Sequence, residues 1–176
     1  MHKAVFLDRD GVIVVPHFRE GRSFAVQFME DFRLYPDALE ALSLLKKAGF
    51  LLIVVTNQPD MGKGLVSPET MEEMNRFLFQ FLPIDDIRVC PHVREDNCGC
   101  RKPNPGLLKE AAKEWGIDGS MSYMIGDRLS DMEAGQSLGC KTIFIDLDYT
   151  AEQKPQNVDF SCKTLLAASS WILGNL

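Results

Sequence analysis

The chain has 176 residues, 45% hydrophobic and 25% charged, with a formal net charge of −6. This length suits one compact domain over residues 1–176, and the composition is that of an ordinary water-facing globular protein. The acidic balance leaves no general basic face for a nucleic-acid backbone, and no apolar run approaches the ~20 residues of a membrane span.

Apolar, β-prone runs alternate with amphipathic stretches along the chain. Ala4–Leu7 predicts a first strand, ending at Asp8. Residues 36–48 predict a helix that opens with Pro36, spaces Ala38, Leu39, Leu42 and Leu45 helically, and stops at Gly49. The run LLIVV at 51–55 predicts a second strand, ending at Thr56. Residues 67–81 predict a helix with a Ser-Pro-Glu start and Met71, Met74, Leu78 and Phe81 on one stripe. A weaker strand at 87–90 and a helix at 105–115 follow. Then come a strand at 122–125 ending at Gly126, a helix at 129–138, and a strand at 142–145 ending at Asp146. A last helix over 161–173 carries Leu165, Leu166 and Ile172 as a core stripe. Residues 14–34 and 91–104 are long for plain connectors.

Continuous apolar runs suit strands buried on both faces. Their alternation with helices predicts an α/β fold with a doubly wound, Rossmann-like parallel sheet and right-handed crossovers. Ligands of such sheets sit beyond the carboxyl ends of the strands. Asp8, Thr56 and Asp127 fall there.

Asp8-Arg9-Asp10-Gly11 leaves the first strand with two carboxylates on alternate residues, able to converge on one reactant. A desolvated carboxylate beside a divalent cation can attack phosphorus, and a second carboxyl can protonate the departing oxygen. Gly11 is expected to turn the backbone and bring amides near the phosphate. Alone, the tetrapeptide also reads as an Asp-rich turn closing a βα unit. Thr56 and Asn57 add a hydroxyl and an amide suited to phosphoryl oxygens. Asp127 is placed to complete an oxygen-rich Mg²⁺ site with Asp8 and the backbone of Asp10. Asp131 reads either as a support behind that site or as a helix N-terminal acid. Arg101 and Lys102 supply local positive charge, the fork of one and the point charge of the other, and Arg128 is a further phosphate contact.

Five cysteines are present, three of them between Cys90 and Cys100. Cys90, His92, Cys98 and Cys100 form a Cys₃His set within eleven residues, suited to a structural Zn²⁺ that would pin a loop too short for its own core. His17, Arg19 and Arg22 are open to two readings, as contacts to a distal phosphate or as solvated loop residues.

Taken together, DRDG at Asp8, VVTN ending in Thr56 and Asn57, RKP at Lys102 and GDRLSD at Asp127 resemble, in order, the four signatures of the haloacid dehalogenase superfamily. The resemblance spans nearly the whole chain. It implies that Asp8 is the nucleophile, Asp10 the acid/base, Thr56 and Lys102 phosphate ligands, and Asp127 a metal ligand. The doubled DxD implies phosphoryl transfer rather than dehalogenation. CPH…CxCRKP resembles the subgroup of heptose bisphosphate and histidinol-phosphate phosphatases, which has no large cap domain. That implies a small phosphorylated metabolite as substrate. Because histidinol enzymes of this type are often fused to a dehydratase, a one-domain chain is expected to favour the sugar bisphosphate. Val12 departs from the Thr usual after DRDG. The N-terminus lacks the apolar stretch of a signal peptide, so a cytoplasmic protein is expected, and short loops predict a monomer.

Overall fold

The computed structural model describes all 176 residues. Its centre is a six-stranded parallel sheet made of β1 (Ala4–Leu7), β4 (Leu51–Asn57), β5 (Asp86–Cys90), β6 (Tyr123–Gly126), β7 (Lys141–Ile145) and β8 (Phe160–Cys162), in the order β5-β4-β1-β6-β7-β8. The chain winds outward from β1 through β4 to β5, then returns to β6 on the other side of β1. The strand order therefore reverses beside β1, where a crevice opens at the carboxyl edge.

Alternate residues of the central strands feed two separate cores. Val5 and Leu7 of β1, with Leu52 and Val54 of β4, face α1 (Ala38–Lys47), α3 (Pro68–Phe81) and α6 (Leu165–Gly174). Ala4 and Phe6, with Ile53 and Val55, face α4 (Gly106–Trp115) and α5 (Leu129–Ser137). All eight of these strand side chains are fully buried, as expected of strands covered on both faces. The expected doubly wound α/β fold is the observed one.

Helix starts follow side-chain chemistry. Ser67 caps α3 by accepting from the Thr70 amide at 3.1 Å, with Pro68 in the first turn. Thr164 does the same for α6 through the Ala167 amide at 3.1 Å. The last helix therefore begins later than the expected 161–173. Residues Phe160–Cys162 instead extend the sheet, because Cys162 O accepts from the Asp146 amide at 2.8 Å. A second difference lies in residues 14–34, which fold partly into an antiparallel hairpin of β2 (His17–Arg19) and β3 (Arg22–Phe24). A four-residue helix, α2 (Pro59–Gly62), follows β4. No helix is long and apolar enough to cross a membrane.

Candidate active site and metal clusters

β1 pairs with both β4 and β6, so the ends of three neighbouring strands meet. Asp8 continues β1 by one residue, its amide donating to Ile125 O at 3.0 Å. The carboxylates of Asp8, Asp127 and Asp131 lie within 4.8 Å of one another. Lys102, almost wholly buried, enters this group from the loop before α4. Its Nζ donates to Asp8 Oδ1 at 2.8 Å and to Val55 O at 2.6 Å. It also stands 2.7 Å from Asp131 Oδ1, a charge contact and not an aligned hydrogen bond.

Three buried acids against one ammonium leave an excess of negative charge. Burial, then Asp8, then Asp131 push the pKa of Asp127 well above the ordinary carboxylate range. Burial lifts Asp131 to about 6 against the pull of Lys102. Burial opposes the charge on Lys102, yet Asp131 and Asp8 together outweigh it and push its pKa up. Asp127 Oδ1 is buried without a hydrogen-bond partner. A cluster of hard oxygen donors with surplus charge and an orphaned oxygen fits a Mg²⁺ ion.

Asp131 is the acid at the N-terminus of α5 and also faces the acid cluster. Its Oδ2 accepts from the Arg128 amide at 3.1 Å, closing the first turn of α5, while Oδ1 faces Lys102. The approach of Asp131 to the sheet needs Gly126, since a Cβ there would lie 2.3 Å from Asp131 Cβ.

Gly11 makes the expected turn, yet its own amide is engaged within it. Its amide donates to Val14 O at 2.8 Å and is not offered to a ligand. Its φ is +92°, and an added Cβ would stand 2.1 Å from Asp127 Oδ2. The turn uses glycine so that Asp127 can close against it.

Above the acids opens a cavity of about 440 Å³, walled in part by Asp8, Asp10, Thr56, Asn57, Arg101, Lys102 and Arg128. Several of these are already held. Asn57 grips the backbone of Lys102 at both ends of its amide, donating to Lys102 O and accepting from Lys102 N at 3.0 Å each. Arg101 Nη1 donates to His92 O at 3.2 Å. Arg128 Nη2 donates to Ser23 O at 2.8 Å, and its Nη1 pairs with Glu152 at 3.2 Å, so this fork fastens the β2–β3 hairpin. Arg22 reaches the cavity wall. His17 and Arg19 do not; they border a neighbouring depression of about 260 Å³, His17 3.7 Å from Asp31 and Arg19 4.1 Å over the Phe24 ring.

Sequence reasoning passed over Arg9, Gln58, Lys63, Arg94 and Tyr149. Lys63 and Arg94 line the cavity. Tyr149 donates its hydroxyl to Asp127 Oδ2, and burial followed by the Asp127 charge pushes its pKa up, so it remains a donor. Arg9 and Gln58 are buried and both donate to Asp10 Oδ2, at 3.0 and 2.7 Å. Asp10 therefore stands outside the three-acid cluster, its carboxylate turned to these donors. A signal existed for Arg9, since the alternation that points Leu7 into the α1–α3–α6 layer points Arg9 there too.

A second cluster lies at the end of β5. The Cys90, Cys98 and Cys100 sulfurs are 3.1–3.7 Å apart, and His92 Nδ1 is 3.6 Å from Cys90 Sγ and 3.3 Å from Cys100 Sγ. Tetrahedral thiolates around a Zn²⁺ with bonds of about 2.3 Å stand a little under 4 Å apart. The cysteines are free of disulfides, and the set is consistent with a zinc site.

The haloacid dehalogenase-like hydrolase model matches residues 18–139. A D-glycero-beta-D-manno-heptose-1,7-bisphosphate 7-phosphatase of Helicobacter pylori strain J99 is 35% identical over 97% of each chain. The histidine biosynthesis bifunctional protein HisB of Legionella pneumophila strain Lens is 36% identical over 86% of this chain and 44% of its own length. The crystal structure of D,D-heptose 1,7-bisphosphate phosphatase from B. bronchiseptica, complexed with magnesium and phosphate, aligns over 99% of both chains with a TM-score of 0.83 and 27% identity. The fold, the acid cluster and these likenesses agree, and the chain belongs to the haloacid dehalogenase-like hydrolases.

Proposed function

We propose that this chain, acting as one domain, hydrolyses a sugar phosphomonoester, D-glycero-D-manno-heptose 1,7-bisphosphate, at its 7-phosphate. The observation that carries the reading is the Asp8–Lys102 contact of 2.8 Å at the floor of the cavity. A carboxylate held there beside a buried ammonium is oriented and ready to attack an anionic phosphoryl group, which Lys102 also attracts. The likeness to the Helicobacter enzyme supports the choice of substrate.

In the first step an Asp8 carboxylate oxygen bonds to phosphorus while the bond from phosphorus to the sugar oxygen breaks. Asp10 gives its proton to that oxygen, releasing the alcohol. Water then attacks the phosphoaspartate, Asp10 takes back a proton, and the bond between phosphorus and Asp8 breaks to free inorganic phosphate. Thr56 and Lys102 hold the phosphoryl oxygens, with Arg101 and Arg128 at the cavity wall. Asn57 acts through Lys102 by gripping its backbone. Mg²⁺, held by Asp8, Asp127 and the Asp10 backbone, with Asp131 behind them, would neutralise charge on the phosphoryl oxygens. Zn²⁺ on Cys90, His92, Cys98 and Cys100 would stiffen the loop that delivers Arg101 and Lys102.

Replacing Asp8 with Asn tests the reading. Phosphate release should fall by orders of magnitude while fold and zinc content persist, and full Mg²⁺-dependent turnover in that variant would dismiss Asp8 as nucleophile. Histidinol phosphate is a second reading, favoured by the likeness to the Legionella bifunctional protein. Turnover of the two substrates, measured side by side, separates them.

A further inference from the structure

We infer that the Tyr149 hydroxyl locks Asp127 as a one-oxygen ligand and so makes the acid cluster select Mg²⁺ over a larger divalent cation, Ca²⁺. The inference rests on the reading of Asp127 as a Mg²⁺ ligand, and Tyr149 is a positioning residue that acts through it.

The two oxygens of Asp127 have different surroundings. Oδ2 accepts from the Tyr149 hydroxyl and lies against the Gly11 turn, where an added Cβ would stand 2.1 Å from it. Oδ1 is buried with no hydrogen-bond partner, and the carboxylate groups with those of Asp8 and Asp131. The side chain is therefore fastened by one oxygen and offers the other. Turning it to present both oxygens to one ion would break the hydrogen bond and strand the hydroxyl of a buried tyrosine without an acceptor. The neighbouring acids are fastened in the same way, since Asp8 Oδ1 accepts from Lys102 and Asp131 Oδ2 from the Arg128 amide.

The hydroxyl is itself held from several sides. The Tyr149 ring stands 6.0 Å from the Phe18 ring of β2. The residues that follow dock on the turn of the β2–β3 hairpin, with the Ala151 amide donating to Gly21 O at 3.0 Å. Gly21 comes so close that a Cβ there would meet Thr150 Oγ1 at 2.3 Å, and a Cβ on Gly11 would lie 3.1 Å from Tyr149 Oη. A phenylalanine would keep the ring contact with no polar group to satisfy, so packing alone does not call for the hydroxyl.

Ion chemistry gives the lock its consequence. Mg²⁺ demands a near-ideal octahedron with bonds of about 2.0–2.1 Å and keeps several waters, whereas Ca²⁺ takes about six to eight oxygens at about 2.3–2.6 Å and accepts carboxylates by one oxygen or by both. A rigid acid that gives one oxygen suits the smaller ion. It denies the larger one a ligand that a turning carboxylate would supply.

Titration calorimetry of MgCl₂ and of CaCl₂ into the full chain, dialysed into Mg²⁺-free buffer, tests this without reference to turnover. Tyr149→Phe should weaken Mg²⁺ binding by about 10-fold or more, the range for partners that orient a metal ligand. Binding of Ca²⁺ should weaken by about 2-fold or less, because the freed carboxylate can meet that ion with both oxygens. Losses that are equal, larger for Ca²⁺, or absent would overturn the lock. Tyr149→Leu, which also removes the hydroxyl, takes its place if Tyr149→Phe fails to fold. Asp127→Asn is the control. If it abolishes Mg²⁺ binding while Tyr149→Phe moves neither ion, the lock alone falls. If it leaves Mg²⁺ affinity at the native value, Asp127 is no ligand, and that reading of the metal site falls together with the lock.

Discussion

Lys102 Nζ stands 2.7 Å from Asp131 Oδ1, with both side chains almost wholly out of water. Asp8 takes the same ammonium at 2.8 Å. Charges so placed interact strongly, and removing one leaves the others uncompensated at a cost of about 3–5 kcal/mol. Lys102→Met should therefore lose turnover by about 10²-fold or more and lower the melting temperature in metal-free buffer. Steady-state kinetics and thermal melts check both halves, and a variant with near-native turnover would remove Lys102 from the phosphate site.

Gly11 offers a sharper steric test. With φ at +92° and an added Cβ at 2.1 Å from Asp127 Oδ2, Gly11→Ala must move either the turn or the acid. The backbone conformation alone costs about 1–2 kcal/mol for a residue with a side chain. The displaced Asp127 should show as weaker Mg²⁺ binding by titration calorimetry, beyond any loss of stability. Native Mg²⁺ affinity in a folded Gly11→Ala protein would mean that Asp127 is not held by this contact.

The parts of this site legible in the sequence are those at the ends of apolar runs. Asp8 after AVFL and Asp127 after the run that ends at Gly126 are marked by an abrupt change from apolar to acidic, and parallel pairing brings them together. The Cys₃His set is legible because its members sit close in the chain. Other features depend on contacts between distant segments. β8 is three residues long and exists because β7 offers it an edge, so residues 160–162 read locally as the approach to a helix. The β2–β3 strands are also three residues each, too short to show a clear alternation. Tyr149, between β7 and β8, gains its place from distant segments, through the hydrogen bond to Asp127 and the Phe18 ring 6.0 Å away. A buried guanidinium such as Arg9 contradicts the usual burial preference, and only the alternation of strand side chains pointed to it.

The raised carboxyls fix the sign of a pH effect. Asp131 is lifted to about 6 and Asp127 is raised well above its ordinary value, each by burial first. The native state therefore binds more protons than the unfolded chain between the ordinary carboxylate pKa near 4 and these raised values. The contribution of these two acids to the stability of the metal-free protein therefore falls as pH rises through that window. A divalent cation bound to the ionised cluster opposes the loss, by mass action on the native state. Melting temperature with and without MgCl₂ should nearly coincide at pH about 4.5 and diverge above pH about 6, in the direction set by linkage. A Mg²⁺-induced shift that is constant across this range would mean that these acids do not hold the ion.

The Cys₃His cluster can be tested for zinc independently of activity. Metal analysis of reduced, untagged protein should find about one zinc per chain, and Cys98→Ser should lower it. The loop holding this cluster is tied to the floor of the cavity, because Asn104 Nδ2 donates to Cys98 O at 2.8 Å, Arg101 to His92 O, and Asn57 holds the backbone of Lys102. Losing the ion should therefore lower the melting temperature and also turnover, through a displaced Lys102. Acid should release the metal, since thiolate ligands must deprotonate to bind, and burial followed by the neighbouring sulfurs pushes Cys100 up to about 12 in the metal-free protein. A fully active protein without zinc would show that packing and hydrogen bonds alone place Lys102, and the cluster would then be free cysteines that happen to lie together.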